Sequence, residues 1–203
     1  MPQTGKATPA CGELNGRREG DNPPREGSIK LKQAVVWLTG LSGAGKTTLA
    51  RALGQWLLAA GHQVHVLDGD ELRAASPELG FDHGSRHRHI LRTASLAADL
   101  EDKGAIVVVS LISPYRASRQ LAREMCREFI EVYVDTSLEE CERRDPKGLY
   151  RRARAGQIVN FTGVDDVYEP PEAPEIRIPT AGIAVEQSVK LLVDAIGNRL
   201  ASR

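Results

Sequence analysis

Cysteine is scarce in this chain: Cys11, Cys126 and Cys141 are odd in number, widely spaced, and form no C-x-x-C pair. Neither a disulfide framework nor a zinc site is expected from them. Net charge is also lacking, since 27 Lys plus Arg stand against 27 Asp plus Glu. Nucleic-acid binders carry a basic excess, so no nucleic-acid partner is expected. The basic residues are instead grouped locally, which points to small anionic ligands. There is no apolar run of transmembrane length, and the N-terminus has no apolar h-region. Neither membrane association nor a signal peptide is expected, and the cytoplasm is the expected compartment. Internal repeats are absent, and 203 residues suffice for one domain with a proper core.

What is present is organised around Gly40-Leu41-Ser42-Gly43-Ala44-Gly45-Lys46-Thr47, which fits G-x-x-x-x-G-K-[ST]. Ala34 to Thr39 before it reads as a buried strand, and Thr48 onward reads as a helix with Leu49, Leu53, Trp56 and Leu57 on one face. Strand, glycine loop and helix are the order that phosphate binding needs. The glycines let backbone N–H groups curl around a phosphate, and the helix N-terminus adds partial positive charge. Lys46 is expected to reach the β- and γ-phosphates of ATP, and the Thr47 hydroxyl to bind Mg²⁺.

Residues 1–30 are rich in Gly, Pro, Arg and Glu with few large apolar side chains, which predicts a mobile tail ahead of a P-loop domain over 31–203. Gln63 to Leu67 reads as a second strand, with Asp68-Gly69-Asp70 at its C-terminal end, where ligands bind in open α/β sheets. Beside a P-loop, these two carboxylates suit Mg²⁺ or hydroxyl contacts. Phe81 to Arg92 holds His83, His87 and His89 among Arg86, Arg88 and Arg92. A metal site would be opposed by those cations, and an anion-binding helix running to Gly104 is the preferred reading. Ala105 to Leu111 and Phe129 to Val134 read as further buried strands, the first followed after Ile112-Ser113-Pro114-Tyr115-Arg116 by a helix to about Glu128. Alternating strands and helices imply a doubly wound parallel sheet. Lys147, Arg151, Arg152 and Arg154 suggest a basic lid over about 145–160 that closes on the γ-phosphate. Phe161-Thr162-Gly163 reads as a turn whose aromatic could stack on a base. Val164 to Pro179, with its prolines, is expected to be irregular, and Val185 to Leu200 to be a closing amphipathic helix.

The segments GLSGAGKTT (40–48), LDGD (67–70), LGF (79–81), SLISPYR (110–116), RDPKGLYRRARAG (144–156) and FTGVDDVYEPPEAPE (161–175) together resemble the adenylylsulfate kinases. These enzymes phosphorylate the 3′-hydroxyl of adenosine 5′-phosphosulfate with MgATP. The resemblance implies a P-loop nucleotide-kinase-like three-layer α/β sandwich with a basic lid. It implies that Gly40, Leu41, Ser42, Gly43, Ala44, Gly45, Lys46, Thr47, Thr48 and Arg144 bind ATP, with Thr180 near its adenine. Asp70 is the implied base for the acceptor hydroxyl. Arg73, Phe81, Arg86, His89, Ile112, Ser113, Lys147, Asn160 and Phe161 are implied to hold the acceptor, with Phe81 and Phe161 sandwiching its adenine. Ser113 matches a serine assigned in the family as a phosphorylated intermediate, a step that direct in-line transfer does not need. The implied assembly is a homodimer, with a sulfurylase as candidate partner, and a sulfurylase domain fused within these 203 residues is not expected.

The departures cluster on the acceptor side. Family members usually read D-R-x-x-N where this chain has Ser85-Arg86-His87-Arg88-His89, and Glu71 replaces a usual Asn. His89 is expected near the acceptor's base; an unperturbed His titrates near pH ~6.5, so acceptor KM is expected to vary between about pH 6 and 8. Two alternatives therefore stand beside adenylylsulfate phosphorylation. One is transfer to the 3′-hydroxyl of another nucleotide, such as a modified cytidine nucleotide. The other is a non-catalytic ATP-binding subunit.

Overall fold

The computed structural model describes residues 31–75 and 80–201. The expected tail at 1–30, and Leu79 of the LGF segment, lie outside the described residues. The first strand, β1 (Ala34–Thr39), is buried at every position. Its even residues, Ala34, Val36 and Leu38, belong to one apolar cluster, while Val35 and Trp37 belong to another. Side chains alternate across a strand, so a run that is apolar at every position is one covered on both faces.

The covering helices follow from the same segments. On one face lie α1 (Lys46–Ala59), contributing Leu49, Leu53 and Leu57, and α7 (Val185–Leu200), contributing Leu192, Ile196 and Leu200. On the other lie α3 (His83–Asp102) and α4 (Arg116–Met125), contributing Ile90, Ala94, Ala97 and Ala122. The result is a three-layer α/β sandwich. Trp56, at the edge of α1's apolar stripe, is only partly covered and lies against the backbone of Gly197 on α7. The helix ends of α3 and α4 fall slightly short of those read from sequence, at Asp102 and Met125.

The sheet is parallel throughout. It adds β2 (Val64–Asp68), β3 (Ile106–Ser110), β4 (Phe129–Asp135) and β5 (Ile176–Pro179), in the order β2-β3-β1-β4-β5. The chain runs from β1 outward to β2 past the place of β3, and from β3 across β1 to β4. This reversal beside β1 puts a crevice at the C-terminal ends of β1 and β3, where an open α/β sheet binds its ligands. The fifth strand corrects the expectation that Val164 to Pro179 is irregular. Ile176 and Ile178 are buried while Arg177 and Pro179 are exposed. An edge strand tolerates Pro, because one side of it needs no ladder donor. Three short helices rim the crevice: α2 (Gly69–Ala74), α5 (Leu138–Arg144) and α6 (Leu149–Arg154).

Candidate active site

The loop between β1 and α1 is shaped by backbone that only glycine adopts readily. Gly43 and Gly45 have φ of 76° and 104°, and a Cβ on Gly43 would stand 3.1 Å from the Cys141 carbonyl. No side chain caps α1, so its first amides are free to point at an anion. Lys46 curls over the loop and donates to the Leu41 carbonyl at 2.8 Å. Burial pushes its pKa down to about 8, against the pull of nearby Cys141, Asp70 and Asp68. Thr47 Oγ1 donates to Asp68 Oδ2 at 2.8 Å. Asp68 is buried at the end of β2 and also caps α2 by accepting from the Asp70 amide at 2.9 Å.

The C-terminal side of the chain closes around this loop. Arg144 donates to Thr180 Oγ1 at 2.9 Å and to the Thr180 carbonyl at 2.7 Å, and pairs with Glu140. Thr180 Oγ1 in turn donates to the Ala44 carbonyl at 3.0 Å. Tyr150 on α6 donates to the Ser42 carbonyl at 3.0 Å and meets Phe161 edge-on, with ring centroids 5.0 Å apart. Lys147 reaches across from the α5–α6 turn to pair with Asp70. Both partners are well exposed, so this contact spans open space rather than packed protein.

Beyond Asp70 the wall is cationic and aromatic. Arg73 stacks its guanidinium over Phe81 at 4.7 Å and donates to the Gly80 carbonyl. Arg86 is buried; it donates to the carbonyls of Phe81 and Asn160 and lies 3.5 Å from Asp166. Tyr115 donates to the same carboxylate at 2.8 Å, and burial, aided by that bond, pushes its pKa up to about 12. Asp166 and Tyr150 are thus supports to which the motifs that contain them assigned no role. Their partners are tens of residues away, and only folding brings them together.

One cavity of about 1190 Å³ joins these parts. Ser42, Gly43, Gly45, Lys46, Thr47, Thr48 and Arg144 line it, as do Asp70, Arg73, Phe81, Arg86, His89, Ile112, Ser113, Lys147, Asn160 and Phe161. Gly40, Leu41 and Ala44 shape the loop from behind: a Cβ on Gly40 would stand 2.7 Å from the Val134 carbonyl, and Leu41 and Ala44 belong to the core.

Two expectations change here. His89 is only 4 % exposed, and its Nε2 lies 3.2 Å from the Gly69 carbonyl. Burial, followed by the nearby Arg73 charge, pushes its pKa down to about 4, so it does not titrate between pH 6 and 8. Ser113 has a left-handed φ of 41°, is 2 % exposed, and accepts a hydrogen bond from the buried Trp37 indole at 3.1 Å. A hydroxyl so engaged is poorly placed to attack a phosphate. The other two histidines of α3 have partners of their own: His83 packs its ring, tilted, against Tyr115 and His87 bonds Ser118 at 2.9 Å. Among the described residues, no group of three or more His, Cys, Asp or Glu is arranged to hold a metal ion.

A P-loop, a sheet of this order and a second, cationic pocket sharing its cavity define a phosphoryl-transfer enzyme of the nucleotide-kinase class. Comparison with known proteins narrows the class. The sequence profile of the adenylylsulphate kinases matches residues 32–179, and the chain belongs to that family. It is 49 % identical over 172 residues to the adenylyl-sulfate kinase of Aeromonas hydrophila subsp. hydrophila, covering 83 % of this chain and 87 % of that one. The adenylyl-sulfate kinase of Synechococcus sp. (strain JA-3-3Ab) is 53 % identical over 163 residues, covering 80 % and 93 %. The solved structure of Mycobacterium tuberculosis APS kinase CysC, in complex with AMPPNP and APS, superimposes with a TM-score of 0.77 at 39 % identity. That match covers 82 % of this chain and 99 % of the other.

Proposed function

We infer that the protein transfers the γ-phosphoryl group of ATP to the 3′-hydroxyl of adenosine 5′-phosphosulfate, giving 3′-phosphoadenylyl sulfate. The observation that carries this is the single cavity with a phosphate loop at one end and the Asp70–Arg86–Phe161 wall at the other. At about 1190 Å³ it exceeds the usual range for one small ligand and suits two nucleotides.

In this reading the P-loop amides and Lys46 hold the ATP phosphates, and Arg144 and Thr180 border the adenine. Arg73 and Arg86 hold the anionic end of the acceptor, while Phe81 and Phe161 flank its base. Asp70 takes the proton from the 3′-hydroxyl as its oxygen bonds the γ-phosphorus and the bond to ADP breaks. Phosphoryl transfer asks mainly for positioning and charge neutralisation, which a closing basic segment over 145–160 supplies. Asp145 and Asn160, at the two ends of that segment, both have left-handed backbone, with φ of 24° and 56°. Such local strain suits hinge positions.

The oxygens of Thr47 and Asp68, 2.8 Å apart beside the loop, are hard donors of the kind Mg²⁺ prefers, so these residues fit the ion. Bound there, Mg²⁺ would neutralise charge on the β- and γ-phosphate oxygens. Ser113 acts as a support of the pocket rather than as a phosphate carrier. A kinase domain over 31–203 and a homodimer are proposed with this activity, and a sulfurylase is the natural partner. The free thiols of Cys126 and Cys141 and the need for ATP suit the cytoplasm.

The test is turnover with MgATP across acceptors: adenosine 5′-phosphosulfate, 3′-dephospho-coenzyme A and modified cytidine nucleotides. Preference for the first by at least a hundredfold in kcat/KM is expected. Preference for a cytidine acceptor would transfer the reading to that nucleotide. Absence of turnover with intact ATP binding would support the non-catalytic alternative.

A further inference from the structure

The residue at 89 is where the chain departs from its relatives' usual Asn, and its surroundings indicate what the His does. It sits on the buried side of α3, among Arg86, Ile90 and Thr93, and its ring reaches across to the start of α2. The Gly69 carbonyl can only accept, so Nε2 carries the proton in this contact. Gly69 also lies close against the end of β3: a Cβ there would stand 2.9 Å from Leu111 Cγ and 3.2 Å from the Ser110 carbonyl, so the position admits no side chain. The backbone at Gly69 thus meets both the end of β3 and the imidazole.

Gly69 separates the two carboxylates of the site. Asp68 precedes it and bonds Thr47; Asp70 follows it and faces Lys147. The Asp70 side chain is 73 % exposed, so packing does little to aim it. Its direction follows from the Lys147 pair and from its backbone, which is held at the start of α2 by that helix's own bonds, by the Asp68 cap on the Asp70 amide and by the His89 contact on the Gly69 carbonyl.

We propose that His89 is a positioning residue: through its Nε2–H bond to the Gly69 carbonyl it holds the Asp68-Gly69-Asp70 turn so that Asp70 meets the acceptor hydroxyl. The proposal rests on the adenylylsulfate kinase reading and adds to it a residue that acts on the carboxylate rather than on the acceptor's base. Small misplacement of a reacting group is costly, on the order of a hundredfold for about 1 Å.

The test compares wild type with His89→Leu, which fills the space without a donor, and His89→Gln, whose amide nitrogen has the reach of Nε2 and restores one. We expect His89→Leu to lower kcat by roughly ten- to a hundredfold while KM for ATP stays within about twofold. His89→Gln should recover kcat to within about fivefold of wild type. A His89→Leu enzyme with wild-type kcat overturns the proposal. So does a loss confined to acceptor KM, or a Gln variant as slow as the Leu variant. If His89→Leu gives no cooperative melt, the Gln variant and the wild-type imidazole decide. Long-range ¹H–¹⁵N spectra should show the Nε2–H tautomer at pH 7, and an Nδ1–H tautomer overturns the proposal. Wild-type turnover is measured in the same assay. An inert wild type refutes the adenylylsulfate reading, whereas an active wild type with an unaffected Leu variant refutes only the role of His89.

Discussion

Replacing Lys46 by Met should make the ligand-free protein more stable and nearly inactive. The ammonium is buried beneath the P-loop, and the loss of hydration holds its pKa at about 8 instead of 10.5. At pH 7 the folded protein therefore carries a strained charge, a cost of about 3 kcal/mol for a change of that size. Met removes the charge and keeps the volume. It also leaves the Leu41 carbonyl without the 2.8 Å bond it accepts, which costs about 1 kcal/mol. The net gain is about 2 kcal/mol, or roughly 4–8 °C in Tm for a chain of this size. The sign with pH follows from the lowered pKa. Between about pH 8 and 10.5 the unfolded lysine stays protonated while the folded one gives up its proton. Wild-type stability from this group rises through that window, and the advantage of Met fades. Urea melts at pH 7 and pH 10 read both effects. Saturating MgATP should reverse the order, because Lys46 then meets the phosphates it is held for, and turnover of the variant should fall at least a hundredfold, about 3 kcal/mol in the barrier. A Lys46→Met protein that is less stable than wild type at pH 7, or whose difference is flat to pH 10, would refute the reasoning.

Further outcomes follow from neighbouring contacts. Ser113→Ala removes the acceptor for the Trp37 indole and should cost about 1–2 kcal/mol in stability while keeping kcat within about tenfold. Phosphate appearing on Ser113 of the working enzyme in mass spectra, lost with activity in the variant, would contradict this. Asp68→Asn should raise the Mg²⁺ concentration needed for half-maximal rate at least tenfold, since one of two hard oxygens beside the phosphates loses its charge; an unchanged Mg²⁺ titration would place the ion elsewhere. Lys147→Met breaks an exposed pair with Asp70, so Tm should move little, while acceptor KM rises several-fold. Equal loss in Tm and KM would mean that the pair is structural.

Much of this protein was determined by the sequence alone, because the signals are local. The glycine positions, Lys46 and Thr47 dictate their own loop, and the uniformly apolar strands state that the sheet is covered on both faces. The family, and with it the membership of the site, was legible in short motifs whose chemistry depends on residues a few positions apart. Only the tertiary structure decided what depends on distant neighbours. The strand at Ile176–Pro179 exists because β4 offers it an edge, which its prolines disguised. Asp166 matters because Arg86 and Tyr115 meet it across long stretches of chain. Whether His89 faces water or the Gly69 carbonyl cannot be read from its letter, since burial sets both its charge and its partner. Ser113 shows the same division: its identity is in the sequence, but the Trp37 indole that occupies its hydroxyl arrives from β1 only when the sheet is assembled.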